Sequence, residues 1–397
     1  MKALAQKIVF NFALLSIVFI PFPFVFFPYQ AMISEGLFGR IIRFFIEIIL
    51  GIENYHSAIV SDALMMYVLL LLLFMIAVLV SSVVHFFFKN KLPKREIKYI
   101  LHTVFSYYLA LILIKYGTDK LFLGQFYAPE PNILYTPLGY LDRDILFWST
   151  MGTSYAYNVF MGIAEIGAAF LLLFHKTRIV GALFSSAIFI NIVAINFSFD
   201  ISVKLYSSLL LFLSLLILSQ FFKQFYHFLL LKQPSQLSDS RPLLFERSFV
   251  RTFVKTFIIL FILLEAFYPN LQTKQLPFLH GAYQVVSIVQ SDKEQNLRSI
   301  PFKRIFIHKN HYLIFQDHDD RMSDYKLKID EINNRLILTD YTLLKDTLNY
   351  QYSATDNSLE LMRVIEQKQY KINMQQLKHD TLPIIKHHFH WMIDETL

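Results

Sequence analysis

Cysteine is absent from this 397-residue sequence, and charged residues are scarce. Without a thiol the chain can form no disulfide, no cysteine-ligated iron–sulfur cluster, no thioether-attached haem and no thiol nucleophile. Charged residues make up 17% of the chain, whereas about 25% is usual for soluble domains. The low charge disfavours a soluble globular protein, and the missing thiols exclude cysteine-based catalysis.

Common nucleotide-binding and hydrolase motifs are also missing. The sequence contains no Gly-rich phosphate loop, no Walker-type lysine and no G-x-S-x-G elbow. Lys and Arg outnumber Asp and Glu by 37 to 30, a modest excess of the kind that anchors cytoplasmic loops of membrane proteins, so nucleic acid is not an expected partner. His388 and His390 would share one face of a strand, but without a carboxylate at a known spacing they predict no metal site.

Long apolar runs are the main feature that the sequence does contain. Hydrophobic residues make up 55% of the chain, with 41 Phe and 22 Tyr, which suits lipid-facing surfaces and aromatic belts. A helix needs roughly 20 residues to cross the hydrocarbon of a bilayer, and seven runs are near that length. These predicted spans are residues 9–29, 64–88, 100–116, 155–174, 179–197, 205–222 and 253–268.

The N-terminal region contains two unusual segments. The first run resembles a signal peptide, but its length and the lack of a small-x-small cleavage site predict a retained span. Pro21, Pro23 and Pro28 lie in its second half, where they would kink the helix or end it early. Segment 36–51 is amphipathic and carries Arg40 and Arg43, so we expect it on the membrane surface or, alternatively, as a short re-entrant piece.

Loop charges predict the orientation. Lysine and arginine are concentrated in loop 89–98, at Lys176 and Arg178, and in segment 223–255, whereas the opposite loops are mixed in charge. The positive-inside rule therefore places the N-terminus in the cytoplasm and the C-terminus outside. We expect a multi-pass protein of the bacterial inner membrane with a periplasmic C-terminal domain.

The period of the pattern changes after about residue 272. Segments 283–289, 304–315, 325–329, 335–341, 348–354, 359–365 and 370–374 are short or alternating, as strands are. Polar turns separate them at 309–310, 333–334 and 356–358, and asparagine there suits a positive φ. The predicted fold is therefore an all-α membrane bundle of about seven helices plus a C-terminal antiparallel β domain, as a small barrel or a lipocalin-like meander.

Ionisable side chains within the spans are the candidate site residues, because charge in hydrocarbon is costly. Glu165 would lie near the bilayer midplane, either protonated or paired, and the alternative is a structural bond between helices. Lys115 and Asp119 share a helix face, and Lys120 is adjacent; snorkelling to the outer surface is the alternative explanation for these lysines. A polar pocket that opens outward would also include the remaining candidates, Asn196, Asp200 and Lys204.

Three motifs resemble the DoxX-like family of four-helix membrane proteins. They are YGTDKLF at 116–122, MGIAEIGAAFLLLF at 161–174 and NFSFDISVKL at 196–205. The resemblance implies a helical module over residues 99–224 whose Lys120 and Glu165 line a site for a quinone-like molecule. Relatives in that family include a membrane subunit of a thiosulfate:quinone oxidoreductase.

These observations divide the chain into four parts and leave three functions open. Residues 1–98 hold two spans and the interfacial helix, 99–224 the four-helix module, 225–271 a basic loop and the last span, and 272–397 the β domain. The leading hypothesis is a membrane protein that binds a lipid-soluble molecule, with a β domain for a partner or ligand. The alternatives are a membrane-complex subunit of a quinone-linked oxidoreductase, in which Glu165 moves a proton and Lys120 polarises a carbonyl, and a small-molecule transporter. A quinone is the one cofactor that these hypotheses imply.

Overall fold

The computed structural model describes residues 2–53, 55–87, 94–234, 248–271, 275–290, 293–365 and 368–386. The chain divides into two compact units. The helical unit comprises Met1–Gln125 and Ala156–Gln272, and the β unit comprises Phe126–Tyr155 and Thr273–Leu397. Phe126–Tyr155, called the connecting segment below, therefore groups with the β domain, although the sequence analysis places it inside the four-helix module.

Within the part of the chain that the structure describes, six helices are long and apolar enough to cross a bilayer. The α-helices of the described residues are α1 (Lys2–Phe19), α2 (Gln30–Leu50), α3 (Leu64–Phe87), α4 (Lys94–Leu121), α5 (Pro131–Leu134), α6 (Arg143–Gly152), α7 (Tyr155–Leu173), α8 (Arg178–Ser198), α9 (Lys204–Leu218), α10 (Phe222–Phe225) and α11 (Ser248–Phe267). The six candidates are α3, α4, α7, α8, α9 and α11, and the last two continue through short helical turns to Leu230 and Leu271. They coincide with six of the seven predicted spans, so the predicted helical bundle is confirmed.

The first predicted span is shorter in the structure than in the sequence analysis. Helix α1 ends at Phe19, because Pro21 lacks the N–H that would continue the helical hydrogen bonds. Gln30, at the start of α2, compensates for the break: its Nε2 donates to the carbonyls of Ile17 and Val18. A non-helical stretch at residues 20–29 therefore separates two helices where one span was expected.

The amphipathic segment predicted at 36–51 is helical and begins earlier than expected. Helix α2 starts at Gln30 and ends at Leu50, and Gly51 caps it with a φ of 65°. It is not among the six apolar helices, and Arg43 pairs with Glu35 on it at 2.6 Å. Its placement on the membrane surface stays a prediction.

The β unit is a closed barrel. The strands of the described residues are β1 (Gly281–Gln290), β2 (Lys293–Glu294), β3 (Arg304–His308), β4 (Tyr312–Gln316), β5 (Met322–Asp330), β6 (Arg335–Thr339), β7 (Lys345–Ser353), β8 (Ser358–Ile365) and β9 (Lys368–Leu377). From β3 onward each strand pairs antiparallel with the next, and β1 pairs with both β3 and β9. Eight strands therefore close into a meander, with β2 as a short arm on β1, and the predicted barrel is confirmed.

Two of the three predicted turns have the expected asparagine geometry. Asn334 and Asn357 each have a φ of 50°, a conformation that asparagine tolerates better than most residues. At the turn predicted for 309–310 the positive φ falls instead on His311, at 58°. This turn splits the run 304–315, predicted as one strand, into β3 and β4.

The interior of the barrel is filled by side chains. Strand β6 alternates, with Leu336 and Leu338 buried between more exposed neighbours. Ile305, Leu313 and Leu359 are also fully buried in the same core. An eight-stranded barrel is just wide enough for side chains to fill it. This barrel therefore has a packed core of the kind that an alternating apolar pattern produces.

Candidate functional site

Helices α4 and α7 cross where two glycines face each other. A Cβ added to Gly117 would lie 2.8 Å from the carbonyl oxygen of Gly162, and one added to Gly162 would lie 2.7 Å from the carbonyl oxygen of Gly117. Only glycine allows this approach of backbone to backbone. Lys120 and Glu165 each follow one of these glycines by three residues, so the crossing brings the two charged side chains together.

Lys120 and Glu165 form a buried ion pair. The Nζ of Lys120 donates to both carboxylate oxygens of Glu165, each at 2.9 Å. The side chains are 4% and 1% exposed. Of the two states expected for Glu165, the structure shows the paired one. Snorkelling does not apply to Lys120 or Lys115, because both are buried within the protein.

Gln125 completes the surroundings of Lys120. Its Oε1 accepts from the Nζ of Lys120 at 2.9 Å, which gives the ammonium group acceptors for all three of its protons. Unlike Lys120, Gln125 is partly exposed. The amide of Gln125 is therefore the outer part of an otherwise buried polar site.

Lys115 and Asp119 lie on the same helix and connect it to α11. Their side chains pair at 3.3 Å, as their spacing predicts. Asp119 also accepts a hydrogen bond from the Nδ2 of Asn270 at 3.0 Å, and Thr118 donates to the carbonyl of Ala266. These contacts tie the C-terminal half of α4 to the end of α11.

The other predicted site residues form a second group, at the junction of α8 and α9. Asn196 donates to the hydroxyl of Ser207 at 3.0 Å, and Lys204 pairs with Asp200 at 2.6 Å. Asp62 lies 3.7 Å from the Nζ of Lys204 and accepts from its backbone N–H at 2.9 Å. The seven predicted residues thus fall into two groups, four around α4 and α7 and three at this junction.

Aromatic rings lead from Lys120 toward α9. The Nζ of Lys120 lies 5.5 Å from the ring centre of Tyr116, and Phe22 contacts both Tyr116 and Tyr206. The hydroxyls of Tyr206 and Tyr108 are 3.0 Å apart. These rings give Lys120 a largely apolar neighbourhood with a few hydroxyl groups, of the kind found in sites for small apolar ligands.

Two buried carboxylates were not among the predicted site residues. Glu265, in the last predicted span, is 1% exposed and accepts from the backbone N–H groups of Val25 and Phe26. Glu130, which precedes α5, is buried in the β unit. A carboxylate inside an apolar run was the available signal for Glu265.

The described residues contain no group of three His, Asp or Glu side chains placed to hold a metal ion. The histidine pair considered in the sequence analysis, His388 and His390, lies outside these residues, as do the loop lysines Lys89 and Lys91. The candidate functional site is therefore the buried pair of Lys120 and Glu165 with its aromatic surroundings.

The apolar helices and the closed sheet define a class: this is a multi-pass integral membrane protein that carries a β-barrel domain. Over 126 residues the chain is 33% identical to a protein of Bacillus subtilis (strain 168) described as uncharacterized protein YwoB. The matched stretch is 32% of this chain and 79% of that protein, and so the chain belongs to the YwoB family. No family model matches the chain, and no solved structure matches it.

Proposed function

We propose that the helical unit binds a lipid-soluble molecule with a carbonyl group, such as a quinone, at Lys120. The observation that carries the proposal is the third hydrogen bond of Lys120. Glu165 occupies two of the ammonium protons, and the partly exposed carbonyl of Gln125 occupies the third. A ligand carbonyl that replaced Gln125 would receive a charge-assisted hydrogen bond from Lys120.

The surroundings of Lys120 support an apolar ligand. Tyr116 lies beside the ammonium group, and Phe22 packs on Tyr116. A planar ring that entered beside them would exchange lipid for aromatic contacts. Glu165 would keep the charge of Lys120 compensated while the ligand is bound.

Equilibrium binding of a short-tailed ubiquinone to the full chain in nanodiscs tests the proposal. We expect Lys120→Met together with Glu165→Met to weaken binding by about tenfold or more, the loss of one hydrogen bond to a charged donor. Lys204→Met, which removes a lysine from the second group, is the matched control and should leave affinity unchanged. Equal binding by the wild type and the double variant would refute the proposal.

Gln125 offers a second and opposite test. Gln125→Leu removes the internal competitor for the third proton of Lys120, so the ligand carbonyl no longer has to displace it. We expect this variant to bind ubiquinone more tightly than the wild type. A loss of affinity in Gln125→Leu would instead identify Gln125 as a ligand contact.

Electron transfer and transport remain alternatives with separate readouts. A quinone-linked oxidoreductase subunit would show quinone-dependent redox difference spectra in membranes, and Glu165→Gln would abolish them. A transporter would accumulate its substrate in vesicles. Binding without either signal supports the leading proposal, in which the β-barrel serves partner binding through its outer surface, because side chains fill its interior.

We further propose that the helical unit is DoxX-like and that the protein lies in the bacterial inner membrane, with a cytoplasmic N-terminus and a periplasmic barrel. Lys176, in the turn before α8, and Arg178, the first residue of α8, support this orientation. Because the chain has no cysteine, one introduced at Ile332, a barrel residue 93% exposed, would be a unique label site. We expect a membrane-impermeant maleimide to label it in intact spheroplasts; labelling only after lysis would reverse the orientation.

A further inference from the structure

A buried carboxylate lies where the connecting segment meets the barrel. Glu130 precedes the short helix α5, and its backbone carbonyl accepts the N–H groups of Ile133 and Leu134. Its side chain is 8% exposed and contacts the barrel strands. The backbone of Glu130 thus starts a helix, while its carboxylate joins the segment to the sheet.

Three barrel residues surround this carboxylate. The Nε2 of His280 lies 3.0 Å from Oε2 of Glu130, and the backbone N–H of Lys309 donates to the same oxygen at 3.3 Å. The Nζ of Lys309 lies 3.5 Å from Oε1, and the Nε2 of His308 lies 3.9 Å from Oε2. The carboxylate of Glu130 thus faces one lysine and two histidine side chains.

Further ring contacts complete this environment. The ammonium group of Lys309 also lies over the ring of Tyr127, in the connecting segment. His379 packs edge-on against His280, and Tyr312 packs against His308. Among the described residues, Glu130 is therefore the carboxylate that faces the basic side chains of this cluster.

Other contacts between the described residues of the segment and of the barrel do not titrate between neutral and mildly acidic pH. The ring of Tyr135 stacks on Phe306, its carbonyl accepts from the Nε2 of Gln316, and Thr136 contacts the sulfur of Met322. These contacts fix the position of the segment. The pH-sensitive part of the interface is the cluster around Glu130.

We propose that Glu130, His280 and His308 form an acid-sensitive latch that holds the connecting segment on the barrel at neutral pH and releases it on acidification. Protonating Glu130 removes its negative charge from the cluster, and protonated His308 and Lys309 then repel one another. Buried donors that lose their acceptor add to the cost. The segment would be free to leave the barrel while the strands stay paired.

The pKa directions agree with this arrangement. Burial raises the pKa of Glu130, but the hydrogen bond from His280 and the charges of His308 and Lys309 outweigh it, so the pKa lies below its usual value of 4.5. Burial is also the main reason why the pKa of His308 lies below 6.5. Both groups therefore resist protonation while the latch is closed, and acid favours the open form.

A pair of spin labels measures the latch directly. Cysteines at Leu138, which is 68% exposed in the connecting segment, and at Ile332 in the barrel would be the only thiols in the chain. The labelled full chain in nanodiscs is compared at about pH 7.5 and about pH 3.5, which lie on either side of the usual pKa values of histidine and of glutamate. We expect a narrow distance distribution at neutral pH and a broader, longer one in acid.

Variants separate the latch from general acid sensitivity. Glu130→Gln should give the broad distribution at both pH values, and His308→Gln should move the onset of broadening to lower pH. Glu360→Gln, which alters a barrel carboxylate paired with Lys371 at 2.7 Å, should respond like the wild type. A wild-type distance distribution that does not change with pH would overturn the proposal, and so would a wild-type response in Glu130→Gln. Loss of the strand signal in circular dichroism as the distance distribution broadens would also overturn it, because the barrel itself would then be unfolding.

Discussion

Glu265 accepts a hydrogen bond from the backbone N–H of Phe26 at 2.9 Å, across 239 residues of sequence. Its other oxygen accepts from the N–H of Val25. The stretch between α1 and α2 is not helical, and unsatisfied backbone groups are costly where water is excluded. The carboxylate on α11 therefore stabilises a break in the helical structure at the other end of the chain.

Replacing Glu265 by Gln should destabilise the helical unit by about 1–3 kcal/mol, since an amide offers one acceptor oxygen where the carboxylate offers two. Chemical unfolding in detergent micelles, followed by circular dichroism, measures the change. Glu35→Gln is the control: it weakens the partly exposed pair with Arg43 and should cost less than about 1 kcal/mol. Equal losses in the two variants would contradict a special role for Glu265.

Gly117→Ala should destabilise the crossing of α4 and α7 by about 1–3 kcal/mol, because the added methyl group meets the carbonyl oxygen of Gly162. Gly167→Ala is the matched control on α7, with no atom within 4 Å of the added carbon. It should be neutral or stabilising by up to about 1 kcal/mol, the difference in helix propensity. Thermal unfolding of the wild type and the two variants measures these changes in stability. Similar losses of stability in both variants would refute the close contact between α4 and α7.

Lys120→Met should destabilise the protein by about 3–5 kcal/mol, because it leaves Glu165 buried without a partner. Replacing both residues by Met should recover most of that loss, since two apolar side chains need no compensation there. A double-mutant cycle from unfolding free energies measures the coupling. The partly exposed pair of Lys371 and Glu360 is the control and should give a coupling of only about 0–1 kcal/mol. If the coupling measured for Lys120 and Glu165 were equally small, it would argue against the buried pair.

Asp62→Ala should destabilise the start of α9 by about 1 kcal/mol, the usual cost of losing a helix cap. The reason is that Asp62 accepts the first two N–H groups of α9, from Lys204 and Leu205. Asp62→Asn keeps one acceptor oxygen and should lose less. Hydrogen exchange at the amides of Lys204 and Leu205 reports the change locally, and unaltered protection in Asp62→Ala would rule out the cap.

Acidification should lower the stability of the β unit in two steps. The pKa of His308 is lowered from 6.5 and that of Glu130 from 4.5 in the folded protein, so the unfolded chain binds more protons at both groups. Their stabilising contributions are complete above these usual values and are lost as the pH falls. Melting temperatures should therefore decrease below about pH 6.5 and again below about pH 4.5. His308→Gln should remove the upper step and Glu130→Gln the lower one, whereas melting temperatures that rise between pH 6.5 and pH 5 would contradict the assignment.

The elements that the sequence predicts are those whose energetics are local. An apolar run of helical length or an alternating strand reveals its buried face within a few residues, and six spans and the barrel strands were found in this way. Glu165 was identified because a carboxylate in an apolar run needs a partner. The turn between β3 and β4 was predicted from Asn310, but its positive φ lies one residue later, at His311.

The unpredicted contacts join residues far apart in the sequence. Glu265 binds the stretch around Val25, and Glu130 binds His280, 150 residues later. Neither pair forms a motif, because its spacing depends on how the elements are arranged in space. For the same reason the sequence did not show that the connecting segment belongs with the barrel.

Pairing of the first and last strands has a practical consequence. Ala282 at the start of β1 is the register partner of Leu377 at the end of β9, and partners in antiparallel strands lie about 5 Å apart. The polypeptide thus enters and leaves the barrel at neighbouring points. Such a fold suits transplantation as a cassette into a surface loop of a host protein, or circular permutation with new ends at an exposed turn, because joining the old ends takes only a short linker.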